Sequence, residues 1–84
     1  MRKFEYVLTN PLGLHARPAG LIVKESGGIA SRVTVIYGEK QVSGERIFDL
    51  LCLGAKQGDL ITFEVIGEDE ESAAIALEQL VQDF

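Results

Sequence analysis

Residues 60–82 read LITFEVIGEDEESAAIALEQLVQ, and the hydrophobic period of this stretch changes at Gly67. The β-branched and aromatic residues before the glycine predict a strand over residues 60–66. The spacing after it predicts a helix over residues 70–82, with acidic side chains in its first turn, as the helix dipole prefers. The residues expected to face inward from this helix are Ala74, Leu77, Leu80 and Val81. The stretch therefore predicts one strand and one helix joined by a tight turn.

The rest of the chain predicts three further strands and two further helices. Alternating apolar residues predict the strands, which cover residues 2–8, 32–37 and 41–43. Helical spacing followed by glycine predicts the helices, which cover residues 16–26 and 45–53. The order βαββαβα favours an α+β fold, in which a four-stranded sheet carries its helices on one face. No linker or repeat interrupts the pattern, so we expect a single domain over residues 1–84.

Composition excludes several classes of function. The chain has 13 acidic and 8 basic residues, a net charge of −5, and no Lys or Arg after residue 56, so binding to nucleic acid is not expected. The single cysteine, Cys52, permits no internal disulfide. No apolar segment resembles a signal peptide or reaches the roughly 20 residues that span a bilayer. We therefore expect a cytoplasmic protein that does not insert into membranes.

The only histidine, His15, lies in the segment GLHARPA at residues 13–19, where a turn leads into a helix. The N–H groups of Ala16 and Arg17 have no acceptor within such a helix, so they are free to bind an anion. Arg17 adds a guanidinium that can hold phosphate through two hydrogen bonds. Gly13 lets the backbone bend closely around a bound group. The segment predicts a phosphate site beside an imidazole.

Two interpretations of His15 follow from the residues alone. It is either a nucleophile that accepts a phosphoryl group and passes it on, or a surface histidine that only begins a helix. A zinc site lacks a second histidine and any ligand spacing around Cys52. No nucleophile motif of a hydrolase accompanies the histidine. We therefore expect neither a metal nor a cofactor.

Residues 13–19 resemble the active-site signature of the HPr family, the histidine-containing phosphocarriers of the bacterial phosphotransferase system. The likeness extends over the whole chain, since residues 49–54, 58–59 and 67–70 are similar to the later half of that family. The resemblance implies an open-faced β-sandwich, with a four-stranded antiparallel sheet covered on one face by three helices. It also implies a monomer.

The same resemblance implies how the site works. His15 would take a phosphoryl group on Nδ1 from enzyme I, which is itself charged by phosphoenolpyruvate, with Arg17 as the second catalytic residue. It would then pass the group to an enzyme IIA of a sugar-transport or nitrogen-related system. Such a protein is a carrier that is itself modified, rather than an enzyme that turns over a substrate.

A partner interface is expected beside the histidine. Helical spacing turns Leu50 and Leu53 inward and leaves an apolar stripe outward on the short helix. The residues expected to contact partners are Gly20, Leu21, Lys24, Ile47, Phe48 and Leu51. An alternative is a regulatory module that relays no phosphate and binds a partner through Ile47, Phe48 and Leu51.

Three positions depart from the family pattern. Arg46 stands where low-GC Gram-positive members carry a regulatory serine, and arginine cannot accept phosphate. Leu12 replaces a short polar residue that is common three positions before the histidine, as it does in some nitrogen-branch carriers. Asp49 stands where many sugar-branch members have lysine or a small residue, and it would repel an acidic partner unless Arg46 or Lys24 offsets it.

Overall fold

A computed structural model describes residues 1–84 and defines four strands and three helices. The strands are β1 (Arg2–Val7), β2 (Arg32–Tyr37), β3 (Lys40–Ser43) and β4 (Leu60–Ile66). The helices are α1 (Ala16–Gly27), α2 (Ile47–Leu51) and α3 (Glu70–Gln82). The predicted order βαββαβα is confirmed. None of the helices has the length and apolar character needed to cross a membrane.

The strands form one antiparallel sheet in the order β1-β4-β2-β3. One of its two central strands, β4, places Phe63 opposite Phe4 of β1 and opposite Val35 of β2. The rings of Phe4 and Phe63 stack with their centroids 4.8 Å apart. Because strand side chains alternate, Ile61, Phe63 and Val65 all point to the same face and are fully buried. The hydrophobic core therefore lies on one side of the sheet.

The three helices cover that side and leave the other open to solvent. Each helix contributes at least one fully buried side chain, including Ile22 of α1, Leu50 of α2 and Leu77 of α3. Complete burial of a side chain of this size stabilises the fold by about 1.5–3 kcal/mol. The α+β fold expected from the sequence, an open-faced β-sandwich with helices on one face, is confirmed.

The helix predicted over residues 45–53 is shorter in the structure, where it spans Ile47–Leu51. Arg46 has an extended backbone (φ −119°, ψ 97°), and its N–H donates to the Ser43 carbonyl in a turn. At the other end, the N–H of Leu53 donates to the Leu50 carbonyl, three residues back, in a tight final turn. Four of the nine residues predicted to be helical, 45–46 and 52–53, therefore belong to the flanking turns.

Two smaller predictions are also corrected. The first strand ends at Val7, because the N–H of Leu8 donates to the Asp59 carbonyl in a loop and not to a neighbouring strand. On α3, the fully buried alanine is Ala73, whereas the predicted inward residues Ala74 and Leu80 are only half-buried. The helix lies on the sheet rotated slightly from the orientation that its apolar spacing predicts.

Asp69 links the start of α3 to the segment before β2. Its carboxylate accepts hydrogen bonds from the N–H groups of Ala30 (3.0 Å) and Ser31 (2.9 Å), and from the Ser31 hydroxyl. These donors stabilise the charged carboxylate and lower the pKa of Asp69 below its ordinary value of 3.8. The hydrogen bond from the Ser31 hydroxyl contributes most to this shift. The link joins segments that lie 38 residues apart in the sequence.

We expect Asp69→Asn to lower the melting temperature at neutral pH, because an amide cannot accept all three hydrogen bonds. Since folding lowers the pKa of Asp69, its contribution to stability is complete above pH 3.8 and is lost as the pH falls through the folded-state value. The melting temperatures of wild type and variant, followed by circular dichroism, should therefore converge in acid. A constant difference at all pH values would contradict this assignment.

Candidate functional site

The loop between β1 and α1 is held against the segment that follows α2. The side chain of Leu14 is buried, and its N–H donates to the Ala55 carbonyl at 3.1 Å. Gly13 has a positive φ of 65°, and a Cβ at this position would lie 2.5 Å from the Ala55 oxygen and 2.7 Å from Lys56 Cα. Only glycine fits this contact, which sets the position of the next residues, including His15.

His15 begins α1 as its N-cap residue, with φ −105° and ψ −173°. Its carbonyl accepts the first hydrogen bond of the helix, from the N–H of Ala19 at 3.0 Å. The N–H groups of Ala16 and Arg17 precede that bond and have no acceptor within the helix. Pro18, the third helical residue, has no N–H to leave unpaired. The imidazole makes no capping hydrogen bond, so it is available for another role.

The imidazole is oriented by Asn10, a residue of the preceding turn that is not among the predicted site residues. Nδ2 of Asn10 lies 3.3 Å from Nε2 of His15, while Oδ1 of Asn10 accepts the N–H of Leu12 at 3.0 Å. Nδ1 of His15 makes no hydrogen bond within the chain. Only one buried side-chain polar atom lacks a hydrogen-bond partner, and it is Oγ of Ser26. Nδ1 of His15 also lacks a partner, so it is not buried and is open to solvent. An asparagine that begins a turn near the histidine was the available signal.

A shallow cleft of about 380 Å³ opens beside the ring. Arg17 is exposed on its rim and forms no ion pair with an acidic side chain. The residues that line the cleft are Asn10, His15, Arg17, Pro18, Leu21, Asp83 and Phe84. Asp83 and Phe84 lie far from His15 in the sequence, and no local pattern indicated their place. The Phe84 ring packs edge-on against Tyr6, with 6.1 Å between centroids.

We name the set of predicted partner residues the docking patch: Gly20, Leu21, Lys24, Ile47, Phe48 and Leu51. Among the large apolar side chains of the patch, Phe48 has the largest exposed fraction, 73%, and Leu21, Ile47 and Leu51 are each about 40% exposed. A Cβ on Gly20 would lie 3.8 Å from Cδ1 of Ile47, so α1 and α2 adjoin here. Leu50 and Leu53 face the core, as predicted.

Arg46 and Asp49 form an ion pair at the edge of the docking patch, with 2.8 Å between Nε of Arg46 and Oδ2 of Asp49. The arginine therefore offsets the carboxylate, which was one of the two possibilities that the sequence left open. Both side chains are substantially exposed, so the pair adds little to stability. Its main effect is to reduce the negative charge that a partner would meet.

Comparison with known proteins places this site in a family. Residues 2–83 match the family model described as the PTS HPr component phosphorylation site. The chain belongs to the HPr family. The family resemblance expected from residues 13–19 is therefore confirmed, and it covers nearly the whole chain.

Curated relatives and solved structures agree with this assignment. The chain is 36% identical over 83 residues to phosphocarrier protein HPr of Mycoplasma capricolum, covering 99% of this chain and 93% of that protein. A structure of a Mycoplasma histidine-containing phosphocarrier protein superposes with a TM-score of 0.94 at 35% identity, covering 98% and 93% of the two chains. An HPr dimer from Thermoanaerobacter tengcongensis superposes with a TM-score of 0.77 at 34% identity, covering 99% and 95%.

We expect Gly13→Ala to destabilise the fold by about 1–3 kcal/mol and to displace His15, because the added Cβ overlaps the backbone at residues 55–56. Chemical denaturation measures the loss. Gly54→Ala is the matched control, since Gly54 also has a positive φ (75°) but has no atom within 4 Å of a Cβ. Equal losses in the two variants would show that backbone strain, and not the contact with the loop, is the cause.

Proposed function

We propose that this protein is a phosphocarrier of the phosphotransferase system and acts as one HPr domain over residues 1–84. His15 accepts a phosphoryl group from enzyme I, which phosphoenolpyruvate has charged, and donates it to an enzyme IIA of a sugar or nitrogen-related branch. The relay takes place in the cytoplasm and requires no metal or cofactor bound to the carrier.

One observation carries this proposal: Nδ1 of His15 is open to solvent, while Nε2 is held by Asn10. An imidazole anchored through one nitrogen turns the other toward an approaching partner. The unpaired N–H groups of Ala16 and Arg17 and the free guanidinium of Arg17 lie next in the chain, where they can offset phosphate charge. A histidine that only began the helix would need neither the contact with Asn10 nor the free guanidinium of Arg17.

The transfer itself exchanges one phosphorus–nitrogen bond for another. The lone pair on Nδ1 of His15 attacks phosphorus while the bond to the donor imidazole breaks, and that electron pair returns to the donor nitrogen. Nδ1 carries a lone pair when the ring proton is on Nε2, which requires the contact between Nε2 and Asn10 to open as the partner docks. The phosphorylated ring then loses that proton to water. In such a transfer, protein groups act mainly by positioning the reactants and stabilising charge.

The docking patch supports the relay because it adjoins the cleft beside His15. Its apolar centre suits burial against a partner, and Lys24 and Arg17 at its edges suit an acidic partner surface. We propose that enzyme I and the enzyme IIA use this patch in turn. An HPr from Thermoanaerobacter tengcongensis forms a dimer, but successive docking requires a free patch, so we propose a monomer as the active carrier.

The regulatory alternative, binding through Ile47, Phe48 and Leu51 without phosphate transfer, gains less support. It accounts for the exposed apolar side chains but leaves the anchored imidazole and the unpaired Arg17 without a role. Arg46, at the N-cap of α2, cannot accept a phosphate, so we do not propose regulation through a serine at this position.

The experiment is incubation with enzyme I and phosphoenolpyruvate, followed by mass spectrometry of the intact chain. We expect one acid-labile phosphate on the wild type and none on His15→Ala, because the chain has no other histidine. Enzyme I from a sugar branch and from a nitrogen branch should both be used. A wild type that remains unmodified by either would refute the relay, and an unchanged pull-down of a partner by His15→Ala would favour the regulatory alternative.

We expect Arg17→Ala to slow phosphorylation about tenfold, because a charge-assisted hydrogen bond to the transferring group is lost. Its melting temperature should not change, since the side chain is exposed and unpaired. Arg32→Ala is the matched control, because it removes an exposed arginine from β2. Equal rates for the two variants would exclude a role for Arg17 in transfer.

We expect Phe48→Glu to raise the KM for phosphorylation by enzyme I about tenfold, because an exposed aromatic side chain is the best candidate anchor in the docking patch. Ile75→Glu serves as the control, since Ile75 is 53% exposed on α3, outside the patch. Both variants should melt like the wild type. If the two substitutions change KM equally, the docking patch is wrongly placed.

A further inference from the structure

The side-chain amide of Asn10 is fixed in one orientation. Its Oδ1 accepts the N–H of Leu12 at 3.0 Å, and its backbone carbonyl accepts the N–H of Gly13 at 2.9 Å. Turning the amide over would place its NH₂ group against the N–H of Leu12 and lose that bond. Nδ2 is therefore the atom that faces Nε2 of His15, at 3.3 Å.

This orientation determines where the proton of a neutral ring lies. An amide NH₂ group donates hydrogen bonds and does not accept them, so Nε2 of His15 must be the acceptor. A neutral imidazole whose Nε2 accepts a hydrogen bond carries its proton on Nδ1. With the proton on Nε2 instead, two donors would face each other at 3.3 Å.

We propose that Asn10 is a positioning residue that keeps Nε2 of His15 unprotonated and thereby protects the phosphorylated carrier from hydrolysis. The second half of this proposal rests on the proposed function. A neutral ring that carries phosphate on Nδ1 has a lone pair on Nε2, as the free ring does in the tautomer that Asn10 favours. The same amide can therefore hold both forms of the carrier.

The protection follows from the leaving group. In hydrolysis, a water oxygen bonds to phosphorus, the phosphorus–Nδ1 bond breaks, and its electron pair goes to Nδ1. If Nε2 is protonated, neutral imidazole leaves and the phosphate keeps the protons of the water. If Nε2 is unprotonated, an imidazolate must leave, which is much less favourable. A donor facing Nε2 disfavours the reactive form.

Acceptance of the phosphoryl group by Nδ1 and its transfer to a partner protein both need a proton on Nε2, so the contact between Asn10 and His15 must break in both complexes. The bond is neutral and long at 3.3 Å, which makes it easy to exchange for a bond to water or to a partner. Asn10 therefore favours a carrier that retains its phosphate in solution and releases it after docking.

Asn10→Asp tests the proposal, because aspartate has nearly the same shape and can still accept the N–H of Leu12. Its second oxygen accepts a hydrogen bond where Asn10 donates one, so the favoured tautomer should reverse. ¹⁵N NMR of the labelled imidazole should find a protonated Nδ1 in the neutral wild type and a protonated Nε2 in the variant. The half-life of phosphohistidine should fall about fivefold in the variant, which is the effect of one hydrogen bond.

Two further variants separate the hydrogen bond from charge and from the turn. Leu12→Asp adds the same charge nearby on an exposed side chain and should leave the tautomer and the half-life unchanged. Asn10→Ala removes the donor without adding an acceptor, and should give a mixture of tautomers and an intermediate half-life.

An unprotonated Nδ1 in the neutral wild type, or equal phosphohistidine half-lives in wild type and Asn10→Asp, would overturn the proposal. The outcome is distinguishable from failure of the proposed function. If enzyme I phosphorylates neither the wild type nor the variants, the carrier role is refuted, while the tautomer measurement still decides whether Asn10 positions the proton.

Discussion

The contact between Gly13 and the backbone of Lys56 determines where His15 lies, and much of the site depends on it. Lys56 is in turn held by Asp59, whose carboxylate accepts the Lys56 N–H at 2.8 Å and the Tyr37 hydroxyl at 2.6 Å. The Tyr37 hydroxyl is the main cause of a lowered pKa for Asp59. The position of the imidazole is thus transmitted from β2, near the middle of the sheet, through a loop to the start of α1.

This arrangement reconciles two demands of the proposed relay. The backbone around His15 must be rigid, because transfer between two partners requires a reproducible position of the reacting nitrogen. In that relay, side chains that hold phosphate must also release it, so strong permanent contacts would be a disadvantage. The rigidity lies in Gly13 and the buried Leu14, while Arg17 remains exposed and Asn10 makes a single neutral bond to the ring. The backbone thus positions His15, and the exposed side chains make contacts weak enough to be exchanged.

The exposed surface of α2 also separates what stabilises the fold from what is free to vary. Leu50 occupies the side of α2 that faces the core. The other apolar side chains of this short helix therefore point toward solvent. Phe48 is therefore exposed as a consequence of the length of the helix. The pair of Arg46 and Asp49 sets the charge at its edge without changing the fold. Partner preference can vary here at little cost in stability.

Most of the secondary structure was predictable because it depends on local spacing, and β4 and α3 have the predicted bounds. The short helix was predicted too long because its ends are set by turns at Ser43 and Leu53, which apolar spacing does not reveal. The burial of Ala73 in place of Ala74 depends on a small rotation of α3 on the sheet. Such rotations are decided by packing and not by sequence period.

For the site, the sequence by itself determined the histidine, its place at a helix start and the nearby arginine, because these depend on residues 13–19 alone. It also indicated the family, through those residues and the likeness of the rest of the chain. The tertiary structure decided which nitrogen of His15 is free, since that depends on how a turn places Asn10. It also decided that Phe84 borders the cleft, 69 positions after His15. Hydrogen-bond direction and contacts between distant residues exist only once the chain has folded, so no local pattern could specify them.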